Sequence, residues 1–423
     1  MNRPAVALAA LVLMLAACGG ASPSTSRSPD ASPAPTSAPT PPPSAAPTGD
    51  VAALYREIED QVIAERGLPA KERIEPTVLP QDEAKARLKA QFEKDNPPDK
   101  IAVAEETLKA LGLLPADASL NTLYVDMLGS QVAGFFDPAT REIVVVSQSG
   151  AIGAVEKVTF AHEFTHVLQD QAFGLQGIDV DAVGQGDRSL GRLALVEGDA
   201  TLMLTRWLAE HLPPAELGEL LKVDPEAQAQ LARMPAILRE TLMFPYQQGF
   251  TFVNSLWSRG GWQAVDRAYG RLPDSTEQVL HPAKYETREL PAEVALDAGG
   301  LAKAMGAGWS ATPEDTLGEF QLSVWLRENG VKALLAGDAA AGWGGDRLAY
   351  LRGPNGASAL ALRTSWDTAS DASEFLAAAK MAAANLPGAA QALAGDDRSV
   401  WVLAASDAAA LSKLSSVVLA GIP

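Results

Sequence analysis

The sequence predicts an α+β protein that is mainly helical. Apolar residues recur at helical spacing through most of the chain after residue 50, while strand-like runs are confined to 131–147 and to short stretches beyond 340. The 423-residue chain is 47% hydrophobic, which is ample for buried cores. Its folded part is longer than one domain usually is, so we expect two domains, 51–295 and 296–423.

The first 18 residues resemble a bacterial lipoprotein signal. Arg3 precedes the apolar run 5–17, which is too short to span a bilayer and fits a secretory leader. The run ends at Cys18, the only cysteine of the sequence, where a lipobox places the residue that receives the lipid. We therefore expect a signal peptide over 1–18 and a lipid on Cys18, the alternative being an ordinary buried thiol.

Residues 19–50 are almost wholly Ala, Ser, Pro, Thr and Gly, a composition that predicts a disordered, extended linker. A lipid anchor followed by such a linker predicts a domain held at the extracytoplasmic face of a cell membrane, in a periplasm or at the cell surface. The formal net charge of −18 argues against nucleic acid or an anionic bilayer as an electrostatic partner. The lipid on Cys18 is then the expected membrane anchor.

Three charged helices are predicted at 51–65, 81–94 and 101–111. Two strand-like runs follow at 131–147, separated by the turn residues 137–140, and this pattern predicts a β-hairpin.

The motif His-Glu-x-x-His follows the hairpin. On a helix, His162 and His166 lie one above the other and can bind one ion, while Glu163 leans over the same site. The alternative is an amphipathic surface helix that happens to carry two histidines. Ala172 and Gln169 stand where a metzincin requires histidine and glycine, which excludes that class.

A third ligand is needed, and Glu197 is the best candidate. It falls on the apolar stripe of a predicted helix over 190–211, where a bare carboxylate would be costly unless it is paired, protonated or bound to metal. The alternative is an ion pair with Arg192 or Arg206. Gly198 favours the metal site, because a glycine inside a helix indicates close approach of another backbone.

His162, Glu163, His166 and Glu197, with the surrounding Glu-Gly-Asp-Ala, resemble the gluzincins, which are thermolysin-like zinc metallopeptidases. The resemblance implies a zincin-like catalytic domain, one Zn²⁺ per chain and a peptide or protein substrate. The interval from His166 to Glu197 is longer than in thermolysin, which leaves 174–189 unmatched.

In the gluzincins an aspartate after the ligand glutamate steadies a histidine. Asp199 is the candidate for that role, with Asp170 as its rival.

The resemblance also implies a mechanism. Zinc would lower the pKa of a bound water towards about 7. Glu163 would take the proton and later deliver it to the leaving amine. A donor for the developing oxyanion is expected from His281, Tyr285 or Tyr246. His281 is the first choice, because Pro282 ends its helix and holds it at a rigid position.

Several alternatives stay open. The hairpin could bind extended substrate or be purely structural. The chain could be a catalytically silent binding or assembly lipoprotein with a zincin fold, or a zinc amidase acting on peptidoglycan peptides.

Beyond 295 the sequence predicts a small α+β accessory domain, with helices at 316–335 and 372–385 and strands at 348–351, 359–363 and 399–403.

Overall fold

The computed structural model describes residues 8–11, 51–147, 152–222 and 225–421, so Cys18 and the predicted linker 19–50 lie outside the described residues. Within these ranges the protein is mixed α+β and mainly helical, as predicted. Among the described helices, none combines the length and the hydropathy that a membrane span requires.

The first part of the chain forms a small sheet and nine helices within the described ranges. The strands are β1 (Leu8–Leu11), β2 (Thr77–Leu79), β3 (Val132–Asp137) and β4 (Glu142–Val146). The helices are α1 (Val51–Arg66), α2 (Gln81–Asp95), α3 (Pro98–Ala110), α4 (Leu120–Gln131), α5 (Ala154–Phe173), α6 (Gly186–His211), α7 (Pro214–Leu220), α8 (Pro225–Arg233) and α9 (Ala236–Tyr269).

The predicted hairpin is confirmed as β3 and β4, which pair antiparallel and place Asp137 opposite Glu142. The sheet order is β1-β3-β4-β2, with β2 parallel to β4 and β1 antiparallel to β3. Strand β3 lies directly on α5, since a side chain at Gly134 would come within 2.5 Å of Thr159 Cγ2. Thr159 precedes His162 by one turn, so the sheet supports the start of the motif.

Helix α9 corrects one prediction. From the sequence, Pro245 predicts the start of a helix and the pair Gly260-Gly261 predicts its end. The predicted start is wrong, because the helix begins at Ala236 and Pro245 lies inside it. The two glycines have non-helical backbone angles, with φ of 62° at Gly261, so the helix is interrupted by a kink where the glycine pair predicts its end, and a second helical segment continues to Tyr269.

The C-terminal part is built on a five-stranded antiparallel sheet of order β5-β6-β7-β9-β8. Its elements are α10 (Thr276–Leu280), α11 (Pro282–Thr287), α12 (Ala298–Met305), β5 (Ser310–Ala311), α13 (Gly318–Glu328), α14 (Ala333–Ala340), β6 (Trp343–Arg352), β7 (Ser358–Trp366), α15 (Ala369–Ala383), β8 (Ala389–Ala394), β9 (Ser399–Ala405) and α16 (Ala408–Leu419). Helices α12 and α16 share one core with the sheet, and α13, α14 and α15 share another.

The predicted strands at 348–351, 359–363 and 399–403 are confirmed inside longer strands. The predicted helix 316–335 is instead two helices, α13 and α14, separated near Gly330, whose φ is +90°. One buried core also crosses the predicted boundary at 295, because Leu111 and Ile237 pack in the same cluster as Trp325 and Phe375.

Candidate metal centre

Three side chains from α5 and α6 converge on one point. The Nε2 atoms of His162 and His166 are 3.2 Å apart. Glu197 Oε2 lies 3.3 Å from His162 Nε2 and 3.5 Å from His166 Nε2. These three residues could hold a metal ion.

The triangle fits a tetrahedral ion. Metal–ligand bonds of about 2.0–2.2 Å at tetrahedral angles place neighbouring ligand atoms roughly 3.3–3.6 Å apart. The observed distances of 3.2, 3.3 and 3.5 Å closely match this spacing. Two neutral imidazole nitrogens facing each other at such a distance require a proton or a cation near both of them.

The triad is buried and its charges are coupled. Burial lowers the pKa of His162. Burial also disfavours the charged form of His166, but the neighbouring Glu197 carboxylate outweighs it and raises the pKa of His166 to about 9. In the opposite sense, burial would raise the pKa of Glu197, yet His166 lowers it to about 2. The group therefore favours an ionised carboxylate beside a positive charge.

The alternative reading of Glu197 is excluded by the partners of the two arginines. Arg192 donates to the carbonyl of Ile178, and Arg206 pairs with Glu65.

Close packing of α6 on α9 places Glu197. A side chain at Gly198 would come within 2.3 Å of the Gly249 carbonyl carbon, and one at Gly249 within 2.2 Å of the Ala194 carbonyl oxygen. The prediction that Gly198 marks close approach of another backbone is confirmed. On the far side of α5, Phe160 and Phe164 lie in the core.

His166 is held by a glutamine. Its Nδ1 lies 2.8 Å from Gln169 Oε1, and Gln169 Nε2 donates at 3.0 Å to both Val196 O and Asp199 Oδ2. Asp199 therefore reaches His166 through Gln169. Its rival Asp170 accepts from the backbone of Leu175 just after α5.

Glu163 and Tyr246 lie beside the triad. Glu163 is fully buried, and its charge acts on the pKa values of both His166 and Tyr246. The Tyr246 hydroxyl hydrogen-bonds Glu197, and its ring centroid is 6.3 Å from that of His162. Burial, followed by the charges of Glu197 and Glu163, raises the pKa of Tyr246 well above its ordinary value, so its hydroxyl stays protonated.

The other two oxyanion candidates have different surroundings. His281 Nε2 lies 2.8 Å from Glu319 Oε1 on α13, with the side chain 41% exposed. The Tyr285 hydroxyl donates to the carbonyl of Arg271, and its ring packs on Phe252. The geometry favours Tyr246 over the first choice, His281.

Two neighbours of the site were missed by sequence reasoning. Gln169 was read only as a residue that excludes metzincins, although its position three residues after His166 on the same helix face was a usable signal. Arg66 lies far away in sequence, at the end of α1, yet pairs with Asp199 in the interior. No local pattern identifies such a long-range partner.

Residues 307–419 match the model of a domain of unknown function, DUF8575. No curated protein matches the chain. A crystal structure from Chloroflexus aurantiacus, described as a proposed hydrolase with a novel fold, is 19% identical with a TM-score of 0.38, covering 56% of this chain and 88% of that one. The DUF8575 match contains the C-terminal sheet and none of the three triad residues.

Proposed function

We propose that this protein is a zinc-dependent hydrolase of the gluzincin type that cleaves peptide bonds. The observation that carries the proposal is the triangle of His162, His166 and Glu197, whose edges match the ligand spacing of a tetrahedral ion. Two imidazoles and one carboxylate leave a fourth position, which is the donor set of catalytic rather than structural zinc sites.

The surrounding residues support hydrolysis. Bound zinc would supply Lewis acidity for a water and a carbonyl. Glu163 is the residue that would take a proton from the attacking water and return it to the leaving amine. Tyr246, protonated and beside the triad, would donate a hydrogen bond to the oxygen on which negative charge develops.

The hairpin offers a place for an extended substrate. Strand β3 packs on α5 at Gly134, and its outer edge pairs antiparallel with the strand Leu8–Leu11, which lies inside the predicted signal peptide. An edge that accepts one strand can accept another of similar shape. We propose that extended peptides pair with this edge, so that the scissile bond lies beside the triad.

The proposed setting is a membrane surface outside the cytoplasm, with the lipid on Cys18 as anchor. The support is the leader sequence and the linker that follows it. Replacing Cys18 by serine should release the protein from the membrane fraction, and retention of the Cys18→Ser protein there would contradict lipid anchoring.

The direct test combines metal analysis with a broad peptide-cleavage screen of the purified protein. We expect one zinc per chain and cleavage that is lost in His162→Ala, with zinc content falling in the same variant. Full zinc occupancy in the variant would contradict the site. Zinc binding without cleavage of any peptide, but with release of peptides from peptidoglycan fragments, would support the amidase alternative instead.

A further inference from the structure

Arg66 is the last residue of α1, and its side chain is fully buried. Its Nε and Nη2 atoms donate to the two oxygens of Asp199 at 2.7 and 3.0 Å, a two-pronged arrangement that fixes the carboxylate plane. Nη2 also lies 2.8 Å from Asp266, and the guanidinium stacks 4.5 Å from the centre of the Trp262 ring. Arg66 is therefore held on several sides.

The same carboxylate fixes the amide of Gln169. Asp199 Oδ2 accepts from Gln169 Nε2 and from the hydroxyl of Tyr269. Gln169 Nε2 faces two acceptors, Asp199 and the Val196 carbonyl, so a flipped amide would place its oxygen against two other oxygens. The amide oxygen must then face His166 Nδ1, which makes that nitrogen the donor.

This orientation determines what His166 can offer to an ion. With Nδ1 donating to Gln169, the lone pair of the neutral ring is on Nε2, the atom that faces His162 and Glu197. We propose that Arg66 is a positioning residue for the metal centre, acting through Asp199 and Gln169 on the orientation of His166. The proposal rests on the proposed function, because it requires His166 to be a ligand.

The test is zinc affinity, measured on metal-free protein by competition with a chelator. We expect Gln169→Ala to weaken zinc binding about 10–100-fold, the usual cost of losing a partner of a ligand. Arg66→Lys keeps the charge but loses the two-pronged contact, and we expect about 10-fold weaker binding. The double variant, Arg66→Lys with Gln169→Ala, should bind zinc no more weakly than Gln169→Ala alone, because both changes break the same chain of contacts from Arg66 to His166.

Arg206→Lys is the matched control. Arg206 also pairs with a carboxylate, Glu65, and stacks on a tryptophan, Trp257, at 4.4 Å, but it has no link to Gln169 among the described contacts. The zinc affinity of the Arg206→Lys protein should equal that of the parent protein. Circular dichroism and thermal melting of each metal-free variant check the fold.

Unchanged zinc affinity in a folded Arg66→Lys protein would overturn the proposal while leaving the proposed function intact, as would additive losses in the double variant. If Arg66→Lys does not fold, Asp199→Asn decides, since it removes the charge that orients Gln169 with little change of shape. Parent-like zinc binding by Asp199→Asn would overturn the proposal, and weaker binding would support it. A parent that binds no zinc overturns the proposed function, and this inference with it.

Discussion

Two groups of potential ligands lie among the residues that the structure describes, and they differ in the source of the positive charge that balances their carboxylates. His162, His166 and Glu197 form one group, and Glu277, Glu289 and Asp367 form the other. In both groups the ligand atoms lie within 4.8 Å of one another. The spacing of the ligand atoms alone therefore does not distinguish the two groups.

The second group already surrounds a cation. Lys284 Nζ lies 2.7 Å from Glu277 and 2.7 Å from Glu289, and it also pairs with Asp367. Burial disfavours the charged Lys284 ammonium, but the three carboxylates outweigh burial and raise the pKa of Lys284. Here the chain itself supplies the charge that balances the acids.

Among the described residues, no lysine or arginine forms an ion pair with the triad. Across the ranges that the structure describes, the ion pairs of Glu197 are with His162 and His166 alone. Converging ligand atoms therefore indicate a cation site only where the chain does not provide the cation itself.

The largest effect is expected from Glu163→Gln, which keeps the shape of the side chain and removes the base. Turnover should fall by a factor on the order of 100 or more, while zinc content stays at the parent level. Glu277→Gln is the matched control. It makes the same substitution at a buried glutamate of the second group, which surrounds Lys284, and should leave turnover unchanged. Parent-like turnover in Glu163→Gln would refute the assigned role.

Tyr246→Phe should lower kcat by roughly 10–100-fold, with a smaller change in KM, because the lost hydrogen bond is strongest in the transition state. The matched control is Tyr285→Phe, which removes a hydroxyl bonded to the Arg271 carbonyl. That control should cost about 1 kcal/mol of unfolding free energy and leave kcat unaffected. If the Tyr246→Phe protein and the parent have the same kcat, His281 becomes the preferred candidate for the oxyanion donor.

The three triad residues were predictable because the signal for each lies close to it in the sequence. His162 and His166 share one turn, and Glu197 was identifiable as a carboxylate on an apolar stripe next to an unexpected glycine. The hairpin, too, depends on neighbouring residues. In each case the signal lies within about two helical turns or one tight turn of sequence.

The surroundings of the site were not predictable in the same way. Arg66 reaches Asp199 only through the packing of α1, and the preference for Tyr246 over His281 and Tyr285 depends on the packing of α9, which no local pattern specifies. The prediction that Pro245 starts a helix was wrong for the same reason. Tertiary packing keeps the chain helical on both sides of this proline, although a proline normally interrupts a helix. The shared core at Leu111 and Trp325 also depends on contacts far apart in sequence.

A smaller effect is expected at the second group. Lys284→Met leaves three carboxylates close together, and we expect a loss of about 1–3 kcal/mol in unfolding free energy, below the value for fully buried pairs because the site is partly exposed. Urea unfolding with and without calcium ions tests the comparison directly. Calcium should restore part of the loss in Lys284→Met and leave the parent unchanged, whereas no response in the variant would mean that these acids cannot hold a cation.

The smallest effect concerns pH. Burial raises the pKa of Glu277 from its ordinary 4.5 to about 7, although Lys284 acts to lower it. Because the folded protein holds this proton more tightly than the unfolded chain, the contribution of Glu277 to stability is fully present below about pH 4.5 and is lost as the pH rises through about 7.

Glu277→Gln cannot ionise, so its unfolding free energy relative to the parent should rise between about pH 4.5 and 7, by an amount on the order of 1 kcal/mol, and stay level above. Urea titrations of both proteins across this range measure the difference. A fall in the relative stability of Glu277→Gln over the same range would mean that the ion pair with Lys284 outweighs burial. The second group would then be held together as an ion pair throughout, rather than by a carboxyl group that burial keeps partly protonated.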